Sequence, residues 1–185
     1  MMPGPAVLSL ARKLSKSEPT PGSVRFASVA VILRGVGPSI LLIKRAERDG
    51  DPWSGQVAFP GGKMQSGDGS VRETAVRETK EEVGFDLNES ASFLGYLGPF
   101  RTHTGNMDVV PSIFTLEKEV AVKLNGEVSS YRWVDFGVFE NSLAGGTHQV
   151  VREGATLDMP AVVFEDYVVW GLTYRILQSI VENIV

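Results

Sequence analysis

The residues best equipped for chemistry lie in positions 70–83, "SVRETAVRETKEEV". There Arg77, Glu78, Glu81 and Glu82 spell R-E-x-x-E-E, which on a helix sets Glu78 three and four places from Glu81 and Glu82, on neighbouring turns. The helix has its own punctuation: Ser70 with Glu73 three residues later is a capping box, and Gly84 is a C-terminal stop. At roughly 100° per residue, Val71, Ala75, Thr79 and Val83 form a buried stripe, with Glu82 at its edge and Glu78 close by. Carboxylates crowded against a core repel one another and resist desolvation unless a cation holds them, and hard oxygen ligands suit Mg²⁺ or Mn²⁺. The same letters also describe an ordinary solvated face on which Arg77 and Lys80 pair with nearby acids.

Just upstream, "FPGGK" at 59–63 could fold back over those carboxylates. A P-loop is excluded by spacing, since G-x-x-x-x-G-K-[ST] needs glycine where Val57 stands and Ser or Thr where Met64 stands. What remains is backbone at Gly61 and Gly62 that, without Cβ atoms, can approach a metal or a phosphate closely.

The elements that must position these groups read as follows. "VRFASVAVIL" and "SILLIKRA" are β-rich runs joined by the tight turn "GVGP", a hairpin. The breaker-rich "ERDGDPWSG" is a loop into the short run "QVAF", which Pro60 and the glycines end. Beyond the central helix, "SFLGYLGPF", "MDVVPSIFTL", "SSYRWVDF", "THQVVRE" and "PAVVFE" read as strands, and "VVWGLTYRILQSIVENIV" as an apolar-periodic helix. The order predicts an α/β (α+β) fold, a mixed sheet with helices packed on it.

The 185 residues, 43% hydrophobic and 22% charged, fit one domain with a terminal extension. We place a short helix or arm at 1–22 and a single domain at 23–185. The formal charge of -4 argues against a general nucleic-acid or membrane-surface binder, because polyanions are attracted by a net basic field. With no cysteine, disulfides, thiolate nucleophiles and Cys-ligated zinc are ruled out. The apolar "AVLSLA" is interrupted by Arg12, Lys13 and Lys16 before it reaches the length of a signal or a membrane span, and "VENIV" carries no evident targeting signal; the expectation is a cytoplasmic protein.

"GGKMQSGDGSVRETAVRETKEEVGF" resembles the signature box of the Nudix hydrolases, G-x5-E-x7-R-E-U-x-E-E-x-G-U, where U is bulky and apolar. Gly62, Arg77, Glu78, Glu81, Glu82, Gly84 and Phe85 match. Asp68 stands where the first glutamate belongs, one extra residue separates it from Arg77, and Thr79 replaces an apolar residue. An aspartate with one extra spacer is also seen in the coenzyme A pyrophosphatase subfamily, whose upstream motif resembles "LLIKRAERDGDPWSGQVAFPGG" through Leu41, Leu42, Arg45, Ala46, Gly55 and Phe59 to Gly62. The second arginine of that motif is out of register here, Arg48 being the nearest.

The resemblance implies a Nudix-like α/β/α sandwich whose catalytic loop-helix-loop hydrolyses nucleoside diphosphate derivatives with Mg²⁺ or Mn²⁺. It implies Glu78 and Glu82 as metal ligands, Glu81 as ligand or base, the Gly62 carbonyl as a further ligand, and Arg77 as the group that orients a carboxylate. Glu127 lies in a region from which family members draw another ligand or base. Lys44, Arg45, Arg48, Lys63 and Arg101 are candidates for substrate phosphates through charge-assisted hydrogen bonds, and Trp53 for stacking on a base. Coenzyme A or an acyl derivative is the expected substrate; ADP-ribose, a dinucleotide or an oxidised nucleoside triphosphate is the alternative, and a non-catalytic nucleotide-binding module a more distant one. A homodimer is expected from the resemblance alone.

Overall fold

The computed structural model describes residues 3–19, 25–51, 53–142, 146–152 and 155–184. The boundary expected at 22/23 lies outside them. The elements are α1 (Pro5–Lys13), β1 (Arg25–Arg34), β2 (Ser39–Arg45), β3 (Val57–Ala58), β4 (Gly61–Lys63), α2 (Val71–Val83), α3 (Leu87–Ser90), β5 (Ala91–Tyr96), β6 (Phe100–Arg101), β7 (Met107–Leu116), β8 (Val128–Asp135), α4 (Phe136–Ser142), β9 (Thr147–Arg152), β10 (Ala155–Phe164), β11 (Tyr167–Trp170) and α5 (Gly171–Ile184).

The central strand β1 is buried on both faces, as its unbroken apolar run requires. It runs parallel to β7 from Arg25↔Met107 to Leu33↔Thr115, while every other pairing in the sheet is antiparallel. The expected hairpin forms, but β1 and β2 pair only at Leu33↔Ile40 and Arg34↔Ser39 and then splay. Into the gap goes the segment that carries the glycines: β3 pairs with β2 through Ile43↔Ala58, and β4 with β1 through Ser28↔Gly62. The glycines therefore do not simply end the "QVAF" run; Gly61–Lys63 is a strand of its own, built on edge hydrogen bonds that β1 leaves open after the splay.

Side chains alternate across the sheet. Ala30, Ile32, Leu41, Ile43 and Phe114 meet Ala75, Val76 and Val83 of α2, whereas Val31, Leu33, Ile40, Leu42 and Ile113 meet Val7 and Leu10 of α1 and Ile176, Leu177 and Ile180 of α5. The result is the expected α/β/α sandwich, with α1 packed into the core on the α5 side of the sheet. A separate antiparallel sheet, β9-β10-β11, flanks α5.

The C-terminal helix is shorter than the sequence suggests. Tyr167–Trp170, four residues rich in β-branched and aromatic side chains, pairs with Ala161–Phe164 before the helix starts at Gly171. Among the described residues, no helix is long and apolar enough to cross a membrane.

Candidate functional site

The catalytic candidates are placed by the two ends of α2 and by the strand beside it. Ser70 Oγ accepts the Glu73 N–H at 3.0 Å, and Glu73 reaches back to the Gly69 N–H at 2.9 Å, one residue beyond the usual capping-box partner. At the other end Gly84 adopts φ +83, where a Cβ would sit 2.8 Å from the Lys123 carbonyl. The loop behind it closes the helix, with Lys123 and Asn125 N–H groups on the Val83 and Glu82 carbonyls. Thr79, the polar departure within the buried stripe, is satisfied by the Ala75 carbonyl at 2.7 Å.

Beside α2 the strand β4 presents its backbone. The Gly61 N–H donates to Glu82 Oε2 at 2.9 Å. At Gly62 a Cβ would stand 2.5 Å from Glu78 Oε1, so only glycine lets strand and carboxylate come together. The Lys63 carbonyl accepts Arg77 Nη2 at 3.3 Å.

Arg77 is the hub. Its Nε and Nη2 grip Asp68 at 2.9 Å each, and Nη1 reaches Glu78 at 2.8 Å and Glu81 at 3.2 Å. Asp68 also accepts the Gln65 N–H and the Thr74 hydroxyl, both at 2.9 Å. Held first of all by Arg77, its carboxyl lies far below the usual range. The aspartate in the glutamate position thus pins the loop to the helix and the arginine to the loop.

Electrostatically the site is loaded. Glu82 is 2% exposed; burial pushes its carboxyl from the ordinary 4.5 up to about 7, the Gly61 N–H pulls against that, and the Glu78 charge adds to it. Burial also raises Glu78, against the pull of Arg77. Glu127, on the loop leading into β8, adds to the negative field at Glu82, and Arg45, on the same face of β2, relieves it.

Among the described residues, no three carboxylate or histidine side chains converge on one metal-sized point. The structure shows why: Glu78 and Glu81 are tied to Arg77, and Glu82 is tied to the Gly61 N–H, while Glu78 also packs against Gly62. The donor chemistry still fits a hard divalent cation. A buried carboxylate with a raised pKa, a second one beside it and glycine backbone at van der Waals range make a charge imbalance that such a cation would relieve.

The cations expected to meet substrate are scattered more widely. Arg45 pairs with Asp51 at 2.9 Å, and Arg48 with Glu127 at 3.5 Å and the Gly126 carbonyl at 3.0 Å, both near the Glu82 side of the site. Trp53 is exposed in the loop between them and β3. Lys44 points through the opposite face of the sheet, pairing with Asp166 at 3.3 Å beside the Tyr167 ring, because it alternates with Ile43 and Arg45 along β2. Arg101 is tied to Asp108 across β6 and β7. Lys63 is exposed at the end of β4. Sequence reasoning missed Asp51, for a carboxylate six residues beyond its arginine in a breaker-rich loop gives no periodic signal.

A family model described as the NUDIX domain matches residues 24–153. NudL of Citrobacter koseri, an uncharacterized Nudix hydrolase, is 32% identical over 169 residues, covering 86% of this chain and 83% of that protein. The peroxisomal coenzyme A diphosphatase ndx-8 of Caenorhabditis elegans is 40% identical over 87 residues, 46% of this chain. The chain spans about a third of the length of some curated relatives, and 37% of the nematode diphosphatase. Among solved structures, a MutT/nudix family protein from Enterococcus faecalis shares the fold with a TM-score of 0.55 at 19% identity, over 92% of this chain and 65% of that one.

Proposed function

Because the chain belongs to the Nudix family of hydrolases, we propose that it cleaves the pyrophosphate of coenzyme A or an acyl derivative with Mg²⁺ or Mn²⁺, releasing adenosine 3',5'-bisphosphate and a phosphopantetheine product. The observation that carries the reading is Glu82, a carboxylate 2% exposed and held on the Gly61 N–H beside Glu78. Burying such a charge costs several kcal/mol unless something of opposite sign compensates, and Nudix hydrolases generally use divalent metal ions.

Glu78 and Glu82, the Gly62 carbonyl and Glu81 are the residues that would hold the cation. Bound there, a divalent ion would supply positive charge to the pyrophosphate oxygens and make a nearby water more acidic. Arg77 keeps Glu78 against the glycine strand, through the anchor on Asp68. Glu81, exposed and held by Arg77 at 3.2 Å, can swing out to take a proton from the attacking water. Glu127 borders the same space and is a second acceptor for that proton. Arg45 and Arg48 meet the substrate phosphates by exchanging Asp51 and Glu127 for phosphate oxygens.

The coenzyme A assignment is supported by the 40% identity to the nematode diphosphatase and by the upstream motif that runs from Leu41 to Gly62. Its test is a substrate panel with Mg²⁺ or Mn²⁺: coenzyme A, acetyl-coenzyme A, ADP-ribose, NADH, diadenosine polyphosphates and nucleoside triphosphates, with products resolved by chromatography. Coenzyme A or its acyl form is expected to turn over fastest. ADP-ribose hydrolysed as fast or faster overturns the substrate assignment.

A further inference from the structure

Four of the candidate substrate cations, Lys44, Arg45, Arg48 and Arg101, are engaged by carboxylates of the chain itself. Lys63 differs: it lines an open cleft of about 630 Å³ with Arg25, Phe26, Met64, Gln65 and Asp68. That volume lies in the range of small-molecule sites. Both cations are exposed, Arg25 at the start of β1 and Lys63 at the end of β4. Phe26 and Met64, which pack in one apolar cluster, add apolar surface to the cleft. The one carboxylate in the wall, Asp68, is already neutralised by two hydrogen bonds from Arg77. The local charge offered to a ligand is therefore positive.

The cleft adjoins the acidic site along β4. Successive residues of β4 touch Glu82, Glu78 and Arg77 in turn, through Gly61, Gly62 and Lys63. At about 3.3 Å per residue along a strand, the cleft begins one step beyond the backbone that touches the carboxylates that would hold the cation. Apolar surface suits a flat ring, and two cations without a carboxylate partner among the described residues suit a dianion.

We propose that this cleft binds the nucleoside end of the substrate and that Arg25 and Lys63 grip a phosphomonoester on its ribose, so that the site selects nucleotides carrying this extra phosphate. The proposal rests on the coenzyme A reading for its substrate, but it is a statement about binding and is tested without turnover. Calorimetric titration with Mg²⁺ present compares adenosine 3',5'-bisphosphate with AMP on the wild-type protein and on Arg25→Ala, Lys63→Ala and the double variant. Wild type is expected to prefer the bisphosphate by more than about tenfold, with each single variant losing a several-fold share, as charge-assisted hydrogen bonds from exposed cations predict, and the double variant losing the preference. Equal wild-type affinity for the two nucleotides, or a preference that survives the double substitution, overturns the proposal. A protein that does not hydrolyse coenzyme A yet keeps a bisphosphate preference sensitive to both substitutions rejects the substrate and retains the cleft.

Discussion

Glu82→Gln should make the metal-free protein more stable while disabling it. The buried carboxylate titrates near 7 instead of 4.5, and at about 1.4 kcal/mol per unit of pKa this difference amounts to roughly 3 kcal/mol. The sign follows from proton uptake: between those two values the folded state keeps a proton that the unfolded state has released, so stability falls as pH rises. The stabilising contribution of the protonated form is complete below the unfolded value and lost above the folded one. Glutamine is neutral throughout, and its amide oxygen can still accept the Gly61 N–H. Urea unfolding with a chelator present should therefore give similar midpoints for wild type and variant at pH 4, and at pH 8 a variant more stable by about 2–3 kcal/mol, or a midpoint higher by roughly 1–1.5 M at a slope near 2 kcal/mol per M. Turnover should fall by at least about a hundredfold, the scale of a lost catalytic group. A variant no more stable than wild type at pH 8 would refute the reasoning, since the buried charge would then cost nothing.

Asp68→Ala removes four hydrogen bonds from a side chain 7% exposed and should cost about 2–4 kcal/mol at pH 7, read as a fall in Tm, with kcat reduced as Arg77 and Glu78 lose their anchor. Because Arg77 depresses the Asp68 pKa, the gap between wild type and variant should stay whole down to the ordinary aspartate value of 3.8 and close only below it. Gly62→Ala places a methyl 2.5 Å from Glu78 Oε1; the flexible carboxylate yields, so Tm should move little while kcat falls by about tenfold or more, the scale of a small misplacement. Ser70→Ala removes the α2 cap and should cost about 1 kcal/mol in urea unfolding.

Much of the site was legible because it is local. Ser70, Glu73 and Gly84 announced the ends of α2, and the 3.6-residue period placed Thr79 inside and Glu82 at the core edge, where the structure puts them. The fold class followed from the order of apolar runs. What the sequence did not disclose depends on tertiary pairing. Gly61–Lys63 became a strand only because β1 and β2 splay, and Tyr167–Trp170 left the last helix only because β10 offered an edge. Likewise the letters placed three carboxylates on one helix but not the rotamers, which turn Glu78 and Glu81 to Arg77 and leave Glu82 on the glycine strand. Lys44 and Arg45 are adjacent cations in the sequence, yet the strand sends them to opposite faces of the sheet.

The central claim is that Glu82 and the backbone of Gly61 and Gly62 make one half of a divalent-cation site. Calorimetric titration of Mn²⁺ into wild type and Glu82→Gln at pH 7.5 measures it directly. The account predicts saturable binding by the wild type, weakened by about tenfold or more in the variant; equal Mn²⁺ affinity in the two proteins would contradict it.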